Sequence, residues 1–124
     1  GMMIQRGDAI GFSSSSESLA RHLREHCHSP LYSGAFKVLR VVDGPHIGLF
    51  APEAISLLTG TVYRVTEHSS RMALRVDGLA LPSPKDPMLS CGAWHGAVQI
   101  PPSGIPQVLG SDHPATGGYP ILPR

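Results

Sequence analysis

The segment Arg71-Met72-Ala73-Leu74-Arg75-Val76 alternates between two sets of side chains. Successive side chains of a strand point to opposite faces of a sheet, so this alternation predicts a half-buried strand. We expect one face to carry Met72, Leu74 and Val76, and the other to carry Arg71, Ala73 and Arg75. The two arginines then share a face and lie about 13–14 Å apart along the strand.

Further short strands are predicted on both sides of this one, at 2–12, 36–42, 61–66, 96–100 and 105–109. In the fourth, Val98 and Ile100 are expected to point inward and Ala97 and Gln99 to the opposite face. The last is a strand start or a sheet edge, because Pro106 has no N–H to donate. Short strands separated by turn signals predict a mainly β protein, a mostly antiparallel barrel or sandwich.

One or two short helices are expected beside these strands. Pro52 and Glu53 suit a helix start and Gly60 suits its end. A second helix is predicted after the capping-box spacing of Ser14 and Glu17, with an apolar stripe that includes Leu19 and Leu23. An irregular linker is the alternative for this second segment.

Composition limits the function classes. The 124 residues suffice for one domain, and ten basic against nine acidic residues give a net charge of +1. A nucleic-acid or anionic-membrane surface needs a dense excess of positive charge, so neither partner is expected. No apolar run approaches the roughly 20 residues of a membrane span. Two cysteines without a CxxC pair predict reduced thiols in a cytoplasmic protein.

The stretch from Gln99 to Pro120 holds the most informative chemistry. The adjacent Gly117 and Gly118 let a ligand approach the main chain closely. Tyr119 follows them and offers an apolar ring with a polar hydroxyl. Asp112 and Thr116 add an acceptor and a hydroxyl. From residue types alone, a tight turn in which Asp112 caps backbone groups explains the same pattern.

Three other sets of candidate residues have alternative explanations. Arg71 and Arg75 could hold a carboxylate or phosphate by paired hydrogen bonds, or form an exposed basic face. Gln99 could orient an amide, or be an ordinary cross-strand amide. His22 and His26 lie one helical turn apart, a usable zinc-ligand spacing, but a solvated histidine-rich helix end explains them better. No metal site is therefore expected.

Three motifs in order resemble the allophanate hydrolase subunit 2 family, also called carboxyltransferase domain subdomain A and B. The family includes the C subunit of 5-oxoprolinase and the Kip sporulation regulators. The matching stretches are 39–45, ending in Gly-Pro, then 69–78, similar to a Ser-(Asp/Asn)-Arg-Met-Gly-x-Arg motif, and 96–120, ending in Thr-Gly-Gly-Tyr-Pro. Ser70 and Ala73 depart from the second motif, where Asp or Asn and Gly are usual.

The resemblance implies a cyclophilin-like antiparallel β-barrel, the C-terminal half (subdomain B) of a subunit of about 300 residues. On this basis residues 1–35 are expected to hold a strand, a Ser-rich linker and the possible helix. Residues 36–124 are expected to form subdomain B, without its closing strand segments. An incomplete barrel leaves an open strand edge, so a homo- or hetero-oligomer is also expected.

The resemblance also implies a part in a carboxyltransferase or amidohydrolase, inactive alone. The expected partners are a subunit-1-type (Kip inhibitor-like) protein and a LamB/YcsF-type subunit. No cofactor is expected to bind this chain directly, although the complete complex could use biotin or ATP. The pocket is expected to take a small amide or carboxylate. Its expected catalytic residues are Asp112, Arg71 and Arg75, and its expected substrate-binding residues are Gln99, Thr116, Gly117, Gly118 and Tyr119. A non-catalytic, partner-binding module of the Kip type is the alternative.

Overall fold

A computed structural model describes residues 4–13 and 36–123 of the chain. The predicted mainly β class is confirmed in these residues. The six strands of the main sheet are β1 (Ala9–Ser13), β2 (Phe36–Arg40), β3 (Val62–Val65), β4 (Ala73–Asp77), β6 (Val98–Gln99) and β7 (Gln107–Leu109). A separate two-stranded ribbon pairs β5 (Cys91–Gly92) with β8 (Thr116–Gly117). The helix α1 (Glu53–Gly60) and a 3-10 turn (Ile47–Leu49) lie between β2 and β3.

The main sheet has the strand order β2-β1-β3-β4-β7-β6. Its pairs are antiparallel except β1 with β2, which run parallel with Ala9 opposite Phe36. The sheet is thus mostly antiparallel, as predicted, with one parallel pair. A parallel pair needs a connection of about a dozen residues or more, and the stretch 14–35 between the two strands is long enough.

Residues 120–123 connect the two ends of this strand order without forming a regular strand. Isolated bridges join Gln99 to Ile121 and Asp43 to Pro123. Backbone hydrogen bonds run from Gly44 N–H to Leu122 O at 2.8 Å and from Val98 N–H to Pro123 O at 3.1 Å. The described strands do not close into a barrel, so the barrel stays a prediction.

Local sequence signals account for most of the described elements. The short helix predicted to open at Pro52 and to run through Leu58, with Gly60 as its stop, is confirmed, as are the strands around β2 and β3. Of the two alternatives predicted for 105–109, the strand start agrees with the beginning of β7 and the sheet edge is wrong, because β7 lies between β4 and β6. Pro106 is compatible with that inner position because the strand begins only at Gln107. The helix predicted after Ser14 lies outside the described residues.

The face of β4 that carries the exposed Arg75 is buried at Ala73, which corrects the predicted pattern of this strand. The main core contains Val76 and packs against Leu74, whereas Ala73 joins a second cluster with Ala97 and Leu109. Ala73 is thus buried on the face expected to be exposed. Met72 precedes the strand and is 54% exposed, so its predicted burial is wrong. In β6, Val98 and Ala97 do lie in different clusters, as their alternation predicts.

Tyr63 is fully buried at the centre of the main core. Its ring packs edge-on against Phe12 at a centroid distance of 5.9 Å, and its hydroxyl donates to Leu79 O at 3.0 Å. Burial raises the pKa of Tyr63 from 10.0 to about 12. The folded state therefore favours the protonated phenol over a pH range in which the unfolded chain has already lost that proton.

This raised pKa predicts a loss of stability in strong base. Below pH 10 the contribution of Tyr63 is complete, and between pH 10 and 12 the unfolded chain holds fewer protons than the folded one. We expect the free energy of unfolding to fall by about 2 kcal/mol across this window. Urea unfolding at several pH values measures the fall, with Tyr63→Phe as the control for other groups. An equal slope in both proteins contradicts the assignment.

Candidate functional site

An ion pair between Arg71 and Asp112 joins two of the residues that the sequence singles out. The Nε of Arg71 lies 3.0 Å from Oδ2 of Asp112, and its Nη2 donates to Oδ1 at 3.3 Å. This side-on, two-point contact fixes the plane of the guanidinium group and leaves Nη1 available to another acceptor.

The backbone around this pair is tightly connected. The N–H of Asp112 donates to Arg71 O at 2.9 Å, and the N–H of Gly110 donates to Met72 O at 2.9 Å. A Cβ at Gly110 would collide with Arg71 O, so this close approach requires glycine. The segments before β4 and after β7 are therefore held together independently of the ion pair.

Arg71 lies on the wall of a cavity of about 440 Å³, which we call the Arg71 cavity. Its apolar walls come from the sheet and include Phe12, Leu74 and Val108. Its polar wall residues include two arginines, a histidine and two serines, namely Arg40, Arg71, His95, Ser70 and Ser111. No carboxylate is among its described wall residues. An apolar cavity with a few convergent cationic groups suits a small anion with an apolar body.

The ion pair contributes little to folding by itself. The side chain of Arg71 is 80% exposed and that of Asp112 is 50% exposed. Water and salt screen such pairs, which typically contribute at most about 1 kcal/mol. The pair therefore matters mainly for where it places the guanidinium group.

Arg75 lies in a different cavity. This open groove of about 810 Å³, the Arg75 groove, also has Arg6, Arg64 and Gln107 on its walls. Neither this groove nor the Arg71 cavity has both Arg71 and Arg75 among its described wall residues. The two arginines thus do not converge on one ligand in the described part of the chain.

Gln99 connects the sheet to the ribbon. It is 4% exposed, and its Oε1 accepts a hydrogen bond from Nε2 of Gln107 at 3.1 Å. A Cβ at Gly117 would collide with the Nε2 of Gln99. The glycine in β8 therefore allows the Gln99 amide to pack against the ribbon. Gln99 and Gly117 are therefore brought together as the sequence suggests, but in a packed contact.

The remaining predicted residues lie elsewhere. Gly118 and Tyr119 line a third cavity, of about 630 Å³, beside the proline-rich loop 83–88. Thr116 is exposed in β8. The predicted catalytic and binding roles stay predictions. The structure distributes the predicted residues over the Arg71–Asp112 pair, the Arg75 groove, the Gln99–Gly117 contact and this third cavity, and Thr116 lies apart from them.

Sequence patterns did not single out Arg40 and His95, which line the Arg71 cavity. Arg40 ends β2, and no alternation distinguishes it from an ordinary exposed residue. His95 follows Trp94 in an irregular segment. Their proximity to Arg71 depends on the sheet order, which a local pattern does not contain. The only signal was that Arg40 lies within the 39–45 motif.

No group of three His, Cys, Asp or Glu side chains suited to a metal ion occurs within residues 4–13 and 36–123. His22 and His26, the candidate zinc ligands, lie outside these ranges. Among the described helices, none has both the length and the apolar character needed to cross a membrane.

The chain belongs to the family described as carboxyltransferase domain, subdomain A and B, whose sequence model matches residues 1–123. The resemblance seen in the three motifs is thereby confirmed. Two relatives bear the name of the C subunit of 5-oxoprolinase. The Escherichia coli (strain K12) protein is 34% identical over 85 residues, and the Haemophilus influenzae protein is 43% identical over 62 residues.

These matches cover 68% and 48% of this chain, but only 27% and 20% of the two relatives. The chain thus spans about a quarter of the length of the relatives it matches. Crystal structures of TTHA0988 have TM-scores of 0.58 and 0.57 at 35% and 33% sequence identity. They align with 68% of this chain and 16% of theirs.

Proposed function

We propose that this chain forms part of a small-amide or carboxylate pocket in a subunit of a 5-oxoprolinase-type amidohydrolase. The observation that carries this proposal is the Arg71–Asp112 pair on the wall of the largely apolar Arg71 cavity. The names of the two relatives supply the reaction class. A five-membered lactam that bears a carboxylate combines the apolar body and the negative charge that the cavity suits.

Each wall group has a role in this proposal. Arg71 binds the carboxylate through Nη1, while Asp112 orients the guanidinium through its other edge. Arg40 adds positive charge, which stabilises anionic charge in the substrate or in a transition state. Ser70 accepts a hydrogen bond from Met72 N–H at 3.2 Å, so its own hydroxyl proton is free for an amide oxygen.

The reaction needs more than this chain. The relatives are named as subunits, so we propose that subunit-1-type and LamB/YcsF-type partners complete the site and exclude water. The sequence has no glycine-rich phosphate loop, and we assign ATP use to the partners. In a protein of the relatives' length, further strands would complete the sheet into a cyclophilin-like barrel, and the chain alone would be inactive.

Turnover of 5-oxoproline with ATP, in the complex of the full chain and its partner subunits, tests this function. We expect Arg71→Ala to lower kcat/KM about tenfold or more, because a charge-assisted hydrogen bond to the substrate is lost. Asp112→Asn should raise KM more than it lowers kcat, because it disorders the guanidinium without removing it.

Lys37→Ala removes a positive charge from a residue that lines neither the Arg71 cavity nor the cavity of Gly118 and Tyr119, and it is expected to keep normal turnover. Full turnover by Arg71→Ala contradicts the pocket assignment. A stable complex that lacks turnover with the unmodified chain supports the regulatory, Kip-type alternative instead.

A further inference from the structure

The Arg75 groove holds a positively charged side chain on an unusually well-fixed backbone. Arg75 O accepts hydrogen bonds from Thr66 N–H at 2.9 Å, Thr66 Oγ1 at 3.1 Å and Ser69 Oγ at 2.9 Å. Its own N–H donates to Ser69 Oγ at 2.9 Å. The loop after β3 thus fixes the start of the Arg75 side chain from two sides.

The guanidinium group of Arg75 has no acidic partner in the described part of the chain. The two ion pairs there are Arg71 with Asp112 and Arg64 with Asp77, the latter at 3.6 Å. Arg6, which also lines the groove, likewise forms no ion pair with a described residue. Arg64 is largely neutralised by its partner, so the available positive charge belongs to Arg6 and Arg75.

These two arginines are close enough to contact one ligand. The backbone of Gly7, next to Arg6, bonds to Val65 O at 3.0 Å, and Thr66 bonds to Arg75 O. Two strand spacings therefore separate the backbones of Arg6 and Arg75, about 10 Å in all. Arginine side chains are long enough for both to reach one ligand across that distance.

Gln107 adds a hydrogen-bond acceptor beside Arg75. The two residues are directly opposite in the β4–β7 ladder, which places their Cβ atoms about 5 Å apart. The Nε2 of Gln107 is used by Gln99, so the orientation of this amide is fixed and its Oε1 remains available. The groove thus offers guanidinium donors next to an amide acceptor.

The charge balance of the groove selects the ligand class. Its walls carry three arginines, but also Glu67 and Asp77, which leaves about one net positive charge. Asp77 is paired with Arg64 and Glu67 offsets one of the two remaining arginine charges, so the groove does not balance a polyphosphate. A single carboxylate would match the net charge and the planar donor geometry of arginine. Pro101, Ile105 and Pro106 provide an apolar wall for the rest of such a molecule.

We propose that the Arg75 groove is a second ligand site, separate from the Arg71 cavity, which binds a small monocarboxylate between Arg6 and Arg75. Arg71 and Arg75, which are close in sequence, therefore serve two different sites. The groove site requires neither the partner subunits nor the reaction assigned to the Arg71 cavity, so the two proposals stand or fall separately.

Solution NMR of the full chain, observing the arginine Nε–Hε signals, tests this site with sodium propionate as the probe. We expect a saturable shift of the Arg75 signal at millimolar propionate, and no saturable shift with sodium chloride at the same ionic strength. Arg75→Gln should weaken propionate binding about tenfold or more, because charge-assisted hydrogen bonds are lost. Arg6→Gln should also weaken binding, by a smaller factor.

Arg64→Gln is the matched control, because it removes the same charge from the same groove at a residue already paired with Asp77. We expect it to change propionate affinity less than about twofold. Equal weakening by Arg64→Gln and Arg75→Gln would indicate a diffuse charge effect and overturn the site. Shifts that do not saturate, or tighter binding of inorganic phosphate than of propionate, would overturn the monocarboxylate assignment. Unchanged amide spectra of the variants establish that they are folded.

Discussion

Replacing Gly104 by alanine is expected to lower the free energy of unfolding by about 3 kcal/mol. Gly104 has a φ of +79°, in the left-handed region that costs a residue with a Cβ about 1–2 kcal/mol. The new Cβ would also collide with Leu81 O. That collision would disturb the bonds from Leu81 N–H to Gly104 O and from Gly104 N–H to Pro101 O, both 2.8 Å long.

Urea unfolding of the two proteins measures this loss. Gly60→Ala is the matched control, because its Cβ would meet no atom within 4 Å and it lies at the end of α1. We expect Gly60→Ala to be neutral or to stabilise by up to about 1 kcal/mol. If both alanine variants unfold at the same urea concentration, the close approach at Gly104 does not constrain the fold.

Replacing Gly44 by alanine is expected to cost about as much, roughly 3 kcal/mol, for a steric reason alone. Its Cβ would lie 2.5 Å from Leu122 O and 2.7 Å from Ile121 O. These are backbone atoms, so they cannot move aside as the end of a side chain could. The variant must therefore displace residues 120–123 and lose the bond from Gly44 N–H to Leu122 O.

Hydrogen exchange locates this second effect. The N–H of Leu122 donates to Val98 O at 3.2 Å, and it should exchange faster in Gly44→Ala, as should Val98 N–H. Gly48→Ala, four residues further on with no atom within 4 Å of its Cβ, should leave both rates unchanged. Unchanged protection of Leu122 in Gly44→Ala would show that residues 120–123 do not depend on this contact.

The elements that local chemistry decides were predictable from the sequence. Pro52, Glu53 and Gly60 marked a helix by properties that act within one or two turns. The alternation in β6 separated Val98 from Ala97, because period-two patterning depends only on the strand itself. The prediction for β4 failed at Ala73 because a second hydrophobic cluster covers this residue. The cluster is formed by residues distant in sequence, so the local alternation does not predict it.

The candidate site was predictable only in part, for the same reason. Arg71 and Asp112 were selected by residue type and motif, and their contact depends on the pairing of β4 with β7. Arg71 and Arg75 looked like one site because they alternate in sequence. Arg71, however, precedes the strand, so the period of two does not extend to it. Arg40 joins the Arg71 cavity from β2, at the far end of the strand order from β6.

The position of residues 120–123 has a consequence for synthesis on the ribosome. They bond to Val98 on one side and to Gly44 on the other, and both of these residues emerge earlier. Until Pro123 has left the exit tunnel, backbone groups on both flanks of the nascent sheet lack these partners. A growing chain in this state exposes the kind of unpaired strand edge that promotes aggregation.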